Sequence, residues 1–299
     1  MNSIDIESKK FLGQPKNFVS IFNALLFDGK QVLKPEYLKD ENSELVMNVS
    51  SKHVDIIKRY EDGTYLDLFV IESQSYVDPS MVARVMEYES VARMRYIRQN
   101  FKKHVPMHTR LPMILTVVLY VGESKWNAAK RLSELEIIHP GFEDMFNEFK
   151  LNLIELNTNH KYNTGEKATQ DFFDLLRMIY RKQILKEDLD REFNRDALYF
   201  AYVVTKNKEL LNIYQKSEKG DVKVCRALDE MFEESTNKGI RMGIKQGIEQ
   251  GIEQGIEQGS EKKELEMYRK MMDKGFEIKT IASIFSVSEE SIKKLLMKA

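Results

Sequence analysis

Two carboxylates at the ends of a predicted β-hairpin are suited to binding a hard cation. Asp55 and Glu72 flank the dipeptide Asp62-Gly63, which is a strong signal for a two-residue hairpin loop. With that loop, Asp55 faces Val70, and Asp55 and Glu72 become diagonal neighbours about 7–8 Å apart. Such a pair can share one Mg²⁺, which prefers one or two carboxylates together with water and phosphate oxygens. On spacing alone, a solvated charge at each end of the hairpin is the alternative.

A magnesium ion held by this pair would suit phosphodiester chemistry. A bound metal ion activates water and stabilises the charge that builds on a phosphate during cleavage. Gln74 shares a face with Glu72, because side chains alternate along a strand, and it can orient the water or a phosphate oxygen. Arg84 and Tyr88 lie four residues apart on one face of a predicted helix. Arg84 can hold a phosphate or position Glu72, whereas Tyr88 is equally suited to the core.

The elements that position these residues follow an α/β pattern. Residues 65–71 and 113–121 are almost continuously apolar, which is typical of strands buried on both faces. Residues 151–156 form a shorter strand candidate, and residues 17–27 carry apolar side chains at helical spacing. The order helix, hairpin, helix, strand, strand predicts a mixed sheet flanked by helices. From Lys167 onward only helical patterns remain, which predicts an all-α C-terminal extension.

A basic segment begins within the helix that carries Arg84. Residues 92–110 contain no acidic residue, and Tyr96 and Phe101 lie among its cations. Such a strip neutralises phosphates, so its binding depends strongly on salt. Cations at a helix C-terminus also interact with the helix dipole, and a solvated helix end is the alternative. The candidates for phosphate contact are Arg84, Arg93, Arg95, Arg98, Lys102 and Lys103.

Residues 15–160 resemble a known family. The resemblance is carried by Asp55, the motif Glu72-x-Gln74, the segment Asp78-Pro79-Ser80-Met81, and Arg84 with Tyr88. In these features the chain is similar to the Rpn recombination-promoting nucleases, also called PD-(D/E)XK nuclease family transposases. The Gly-Ile-Glu-Gln repeats near the C-terminus also occur in relatives.

The resemblance implies an α/β fold with a PD-(D/E)XK restriction-endonuclease-like core that cleaves DNA. It implies that Asp55, Glu72 and Gln74 are catalytic, and that Asp55 and Glu72 bind Mg²⁺. Gln74 stands where the wider superfamily has a lysine, although it matches the Rpn branch. Glu44 is a further candidate carboxylate, with an exposed helix charge as the alternative.

The composition of the chain narrows the class of protein. Its 299 residues contain 46 Lys and Arg against 47 Asp and Glu, and 42% are hydrophobic, which excludes collagen-like and largely disordered chains. The single cysteine, Cys225, excludes a disulfide framework and fits a reducing compartment. The apolar stretches are too short for a membrane helix, and residues 1–10 have no signal-peptide pattern. We therefore expect a cytoplasmic protein without membrane contact.

A four-residue repeat changes the pattern near the C-terminus. Residues 239–259 repeat a unit that begins Gly-Ile, and Gly-Ile-Glu-Gln occurs three times in succession. Each internal glycine destabilises a helix by about 1 kcal/mol relative to alanine, so a flexible spacer and a self-associating helix are both consistent with it. Residues 275–296 resemble a short helix-turn-helix, and a packing hairpin is the simpler interpretation. The expected domains are 1–166 (nuclease-like), 167–235 (helical), 236–262 (repeat) and 263–299 (helical hairpin).

Together these patterns predict a Mg²⁺-dependent, transposase-like DNA endonuclease that promotes recombination. The alternative is a catalytically inactive nuclease fold that binds DNA or forms a homo-oligomer through the repeat. The two hypotheses differ in whether Asp55→Ala and Glu72→Ala remove DNA cleavage.

Overall fold

A five-stranded mixed sheet lies within the first compact unit, Met1–Glu230, of the computed structural model. The structure describes residues 3–40, 56–63, 66–101, 104–218 and 220–297. Strands β1 to β3 pair antiparallel, whereas β3 to β5 are parallel, which confirms the predicted mixed sheet. In sheet order the strands are β1 (Leu38–Asp40), β2 (Ile56–Glu61), β3 (Leu66–Gln74), β4 (Ile114–Tyr120) and β5 (Asn152–Glu155).

Helices cover both faces of this sheet. Phe22 stacks on Phe69 of β3, with ring centroids 4.7 Å apart, and Val70 points to the opposite face because strand side chains alternate. There Val70 packs in one cluster with Tyr88 and Ala92. The helices up to residue 216 are α1 (Ser3–Leu12), α2 (Pro15–Phe27), α3 (Met81–Asn100), α4 (Lys167–Arg181), α5 (Arg195–Thr205) and α6 (Lys208–Lys216). Helix α2 carries Phe22, whereas α3 carries Tyr88 and connects β3 to the parallel β4, so the first turn of α3 follows the carboxyl end of β3.

The hairpin between β2 and β3 has a different register from the predicted one. Ile57 pairs with Val70, and the last pair is Glu61 with Leu66, so residues 62–65 all lie between the paired positions. The prediction that Asp55 faces Val70 is therefore wrong, because Ile57 holds that place. Strand β3 also extends past the predicted end at residue 71, and Glu72 and Gln74 lie within the sheet.

Beyond β5, the first unit is mainly helical. Asp171 and Asp174 of α4 are buried, and Arg191 joins them through Nη2–Oδ1 and Nη1–Oδ2 distances of 2.7 and 2.9 Å. Strands β6 (Glu192–Phe193) and β7 (Val222–Lys223) form a small antiparallel sheet. The prediction of an all-α region after residue 167 is wrong at these strands, because two-residue strands are too short to show periodicity in the sequence.

The second compact unit, Met231–Ala299, is helical. Helix α7 (Cys225–Asp273) contains every residue of the glycine repeat. The repeat isoleucines from Ile240 to Ile256 are 55–69% exposed. A Cβ atom added at any repeat glycine would meet no described atom within 4 Å outside the helix's own backbone. The structure thus presents the repeat as an exposed helix.

The tail forms the predicted pair of helices, α8 (Ile278–Phe285) and α9 (Glu289–Met297). Ser286 ends α8 in the left-handed conformation, with φ of 53°, and Ser288 Oγ accepts a hydrogen bond from Ser291 N at 3.1 Å. The sequence pattern lacked a third helix for this hairpin. Helix α7 supplies it, because Tyr268 is buried in one cluster with Ile281, Ala282 and Ile292.

Helix α7 is long enough to reach across a bilayer, but its composition is unsuitable. Every Gly-Ile-Glu-Gln unit brings a carboxylate and an amide, whose burial in lipid is costly. Within the described ranges, no helix combines the length and apolar character that a membrane span requires.

Candidate active site

Glu72 and Gln74 place polar groups inside the sheet at the carboxyl end of β3. They share the face of Val70 because side chains alternate along the strand, and their parallel neighbours on β4 are Val118 and Tyr120. Glu72 is 2% exposed and Gln74 is 5% exposed. Ionisable groups are rarely so deeply buried unless they are compensated, so the partners of Glu72 decide what this site can do.

Glu72 and Gln74 contact each other directly. Gln74 Nε2 donates a hydrogen bond of 2.8 Å to Glu72 Oε1. This bond directs the other end of the amide, Gln74 Oε1, away from the carboxylate oxygen. Gln74 Oε1 is buried, and no hydrogen-bond donor among the described residues reaches it.

Arg84, in the first turn of α3, brings a positive charge to the same carboxylate. Its Nη2 lies 3.0 Å from Glu72 Oε1, and its Nη1 lies 2.5 Å from Asp78 Oδ2. Its Nε and Nη2 also donate to the Tyr88 hydroxyl at 3.0 and 2.7 Å. Arg84 therefore joins the end of β3, the loop before α3 and the core side of α3.

The charges in this cluster support one another. Burial alone would raise the pKa of Asp78, but hydrogen bonds from Ser80 and Arg84 outweigh burial and hold it below its ordinary value. Burial opposes the charge of Arg84, yet its bonds to Asp78 and Tyr88 raise its pKa above the ordinary value. Burial, and then the charge of Glu72, raise the pKa of Tyr88. Arg84 is therefore a permanent cation, and the Tyr88 hydroxyl stays protonated.

The structure brings four of the predicted site residues together: Glu72, Gln74, Arg84 and Tyr88. Asp55 and Glu44 belong to residues 41–55, which lie outside the described ranges. Among the residues that are described, no group of three or more His, Cys, Asp or Glu side chains could hold a metal ion. The assignment of Asp55 and Glu44 to the site stays a prediction.

The basic strip divides into parts with different surroundings. Arg93 Nη2 lies 2.8 Å from Glu89 Oε2, and Glu89 Oε1 accepts a hydrogen bond of 3.2 Å from Thr116 N on β4. Arg93 thus compensates a buried carboxylate. Arg95 is half-buried and Arg98 is exposed in the last turns of α3, whereas Lys102 and Lys103 lie outside the described residues.

Sequence reasoning missed the part played by Asp78. The pair Asp78-Pro79 predicts a helix N-cap at Asp78, but α3 begins at Met81 with Ser80 as its N-cap. Asp78 Oδ1 accepts hydrogen bonds from Ser80 N and Ser80 Oγ at 2.9 and 2.7 Å, while Oδ2 meets Arg84. A signal was present in the sequence, since a carboxylate just before a helix and an arginine in its first turn are close in space.

Comparison with known protein families gives a match over most of the first unit. The family described as "Putative transposase, YhgA-like" matches residues 9–210, which is more than half of the chain. The matched region contains the whole five-stranded sheet, α3 and the cluster around Glu72. No curated protein and no solved structure matches the chain.

Proposed function

The chain belongs to the YhgA-like putative transposase family, and on that premise we propose that it is a Mg²⁺-dependent endonuclease that cleaves DNA in recombination. Asp55 and Glu72 hold the metal, Gln74 orients water or phosphate, and the sheet with its helices is a PD-(D/E)XK core. DNA is the partner, and the protein acts in the cytoplasm.

One observation carries the proposal: Gln74 Oε1 is a buried oxygen without a described hydrogen-bond donor, next to the carboxylate of Glu72. An unsatisfied buried polar atom costs roughly 1–3 kcal/mol. In native structures such an atom requires an explanation, and a bound water or ion is one such explanation. Carboxylate and amide oxygens are the ligands that hard divalent cations select. Glu72 and Gln74 therefore fit a magnesium ion.

The residues of the chain prepare this chemistry. When bound, Mg²⁺ supplies an activated water and a counter-charge for the phosphate. The bond from Gln74 Nε2 to Glu72 Oε1 fixes both side chains relative to each other. Arg84 places its positive charge 3.0 Å from Glu72 Oε1 and so balances the charge of this buried carboxylate. Arg95 and Arg98, with Arg93, Lys102 and Lys103, contact the DNA backbone and position it without reading its sequence.

Plasmid cleavage tests the proposal. We expect the wild type to nick supercoiled DNA in Mg²⁺ and to lose this activity in EDTA. Glu72→Gln and Asp55→Asn should lower the rate by roughly a hundredfold or more, because each removes a charge that the reaction needs. Glu36→Gln is the matched control, since Glu36 is an exposed carboxylate of the same unit. Wild-type protein without metal-dependent cleavage would refute the nuclease activity.

The position of Gln74 supports a second candidate, a catalytically inactive fold that binds DNA. A glutamine cannot supply the positive charge that a lysine supplies at this place. In this case DNA binding should weaken strongly with salt and stay unchanged in Glu72→Gln. Fluorescence anisotropy of a labelled duplex distinguishes the two candidates, because it measures binding without cleavage.

The exposed isoleucines of α7 support self-association as an additional property. Contiguous exposed apolar surface marks interaction sites, and the charges of the repeat suggest an orientation. The basic end carries Arg241 and Lys245, whereas the acidic end carries Glu253 and Glu257. In an antiparallel pair centred near Ile248, the basic end of one copy meets the acidic end of the other, and a parallel pair sets like charges together.

Light scattering of the full chain at several concentrations tests this property. Ile248→Glu should lower the mass to that of the monomer, because it places a charge in the apolar stripe. Gln250→Glu introduces the same charge two residues further along the helix and should retain the wild-type mass. A wild type that is monomeric at every concentration would refute self-association.

A further inference from the structure

The cluster around Glu72 contains unequal numbers of charges. Glu72 and Asp78 each contribute a carboxylate, and Arg84 contributes a guanidinium that contacts both. Glu72 and Asp78 are buried, and the two carboxylates share this one guanidinium. Arg84 contacts Glu72 at Oε1, so a cation bound by Glu72 comes close to the guanidinium.

The position of Arg84 does not depend on Glu72. Asp78 Oδ2 holds its Nη1 at 2.5 Å, and the Tyr88 hydroxyl accepts from its Nε at 3.0 Å and its Nη2 at 2.7 Å. Asp78 is in turn fixed by two hydrogen bonds from Ser80. If Glu72 Oε1 takes another partner, Asp78 and Tyr88 keep Arg84 beside it.

We infer that Arg84 is a positioning residue that stands in for the metal's charge and weakens divalent-cation binding at Glu72 and Gln74 until DNA arrives. This inference rests on the proposed function. A guanidinium 3.0 Å from Glu72 Oε1 would repel a second cation at this carboxylate strongly, since few screening waters fit in a buried site. The phosphate of DNA adds negative charge and offsets this repulsion. Metal binding and DNA binding then strengthen each other.

Asp78 has the opposite influence from Arg84. Its carboxylate pairs with the same guanidinium, which reduces the effect of that positive charge at Glu72, and it adds a negative charge to the cluster. Without the charge of Asp78, Glu72 is the carboxylate of this cluster that still pairs with Arg84. Loss of the Arg84 charge should therefore strengthen cation binding, whereas loss of the Asp78 charge should weaken it.

Titration with Mn²⁺, followed by the electron paramagnetic resonance signal of the free ion, tests this pair of effects on the full chain without DNA. Arg84→Met should bind Mn²⁺ about tenfold more tightly than the wild type. Arg84→Lys is the matched control and should stay within about threefold of the wild type, because it keeps the charge. Asp78→Asn should bind Mn²⁺ several-fold more weakly.

The outcomes separate this inference from the proposed function. An Arg84→Met variant that binds Mn²⁺ no more tightly than the wild type overturns the inference. Mn²⁺ affinity that is unchanged in Glu72→Gln overturns the proposed metal site itself. If Arg84→Met does not fold, as judged by thermal unfolding, Asp78→Asn decides, and unchanged or tighter Mn²⁺ binding in that variant overturns the inference.

Discussion

The carboxyl end of β3 and the repeat of α7 both depart from the usual distribution of side chains, in which polar groups are exposed and apolar groups are buried. At the end of β3, Glu72, Gln74 and Arg84 place charge and amide groups in the interior. On α7, isoleucines from Ile240 to Ile256 lie in solvent. A buried polar group and an exposed apolar group are the two informative exceptions to the normal pattern.

The two exceptions teach different things about what is missing around them. The polar groups of the first region contact one another, and Gln74 Oε1 is a buried oxygen that no described hydrogen-bond donor reaches. In the second region, a Cβ atom placed at any repeat glycine meets no described atom within 4 Å outside the helix's own backbone. The exposed isoleucines therefore line a long surface rather than a single point. The first region therefore suits a single small ligand, as the proposed metal site requires, whereas the second offers an extended surface, as the proposed self-association requires.

The largest difference is expected between the ion pairs that Arg191 makes with buried carboxylates of the first unit and an exposed ion pair of the repeat. Arg191→Met removes the guanidinium that joins the buried Asp171 and Asp174, which keep Lys167 and Arg177 as partners. We expect a loss of about 3 kcal/mol in unfolding free energy, because each carboxylate loses a charged hydrogen bond. Lys245→Met removes an exposed pair with Glu249 and should change the unfolding free energy by less than about 0.5 kcal/mol. Urea denaturation of both variants measures the difference. Equal losses would break the comparison.

Isoleucines provide the next test, because the same substitution is made in both surroundings. Ile71 is fully buried in β3, whereas Ile248 is more than half exposed. Ile71→Ala should lower the unfolding free energy by about 2–5 kcal/mol, since it leaves a cavity. Ile248→Ala should cost little in a monomer, because alanine favours helix and no packing is lost. Thermal and urea unfolding at low protein concentration compare them, and a large loss at Ile248 would mean that its side chain is packed.

Glycines give the smallest expected effect but with opposite signs. A Cβ at Gly122 would lie 2.5 Å from the Tyr120 hydroxyl and 2.7 Å from Ser75 O, so Gly122→Ala should destabilise the first unit by about 1–3 kcal/mol. A Cβ at Gly247 meets no described atom outside its own helix backbone, so Gly247→Ala should stabilise the helix by about 1 kcal/mol. Circular dichroism during thermal unfolding measures both. Destabilisation by Gly247→Ala would point to a neighbour packed against that glycine.

Much of the fold could be predicted because its elements repeat with a clear period. The apolar strands and the helices α2 and α3 are found where the sequence indicates them. The register of the hairpin could not be predicted. Asp62-Gly63 is a strong local signal for a two-residue loop, but the first paired residues across the strands are Glu61 and Leu66. The continuity of α7 could not be predicted, because the glycines of the repeat lower helix propensity and left a flexible spacer as an alternative.

The residue types of the candidate site could be predicted from the sequence, but not all of the contacts between them. Spacing along β3 places Glu72 and Gln74 on one face, and spacing along α3 places Arg84 beside Tyr88. The contact of Arg84 with Asp78 has a local signal, but the contact of Arg84 with Glu72 depends on where the first turn of α3 meets the end of β3. That meeting is a property of tertiary packing, which local patterns do not encode.

The continuous helix of α7 makes the repeat a unit of length and rotation. Each four-residue unit adds about 6 Å to an α-helix and turns its end by about 40°. Gain or loss of one whole unit changes both quantities by a fixed step while leaving the sequence on either side intact. About nine units complete a full turn. The number of Gly-Ile-Glu-Gln copies in the chain therefore sets both the length of this helix and the angle through which one of its ends is rotated relative to the other.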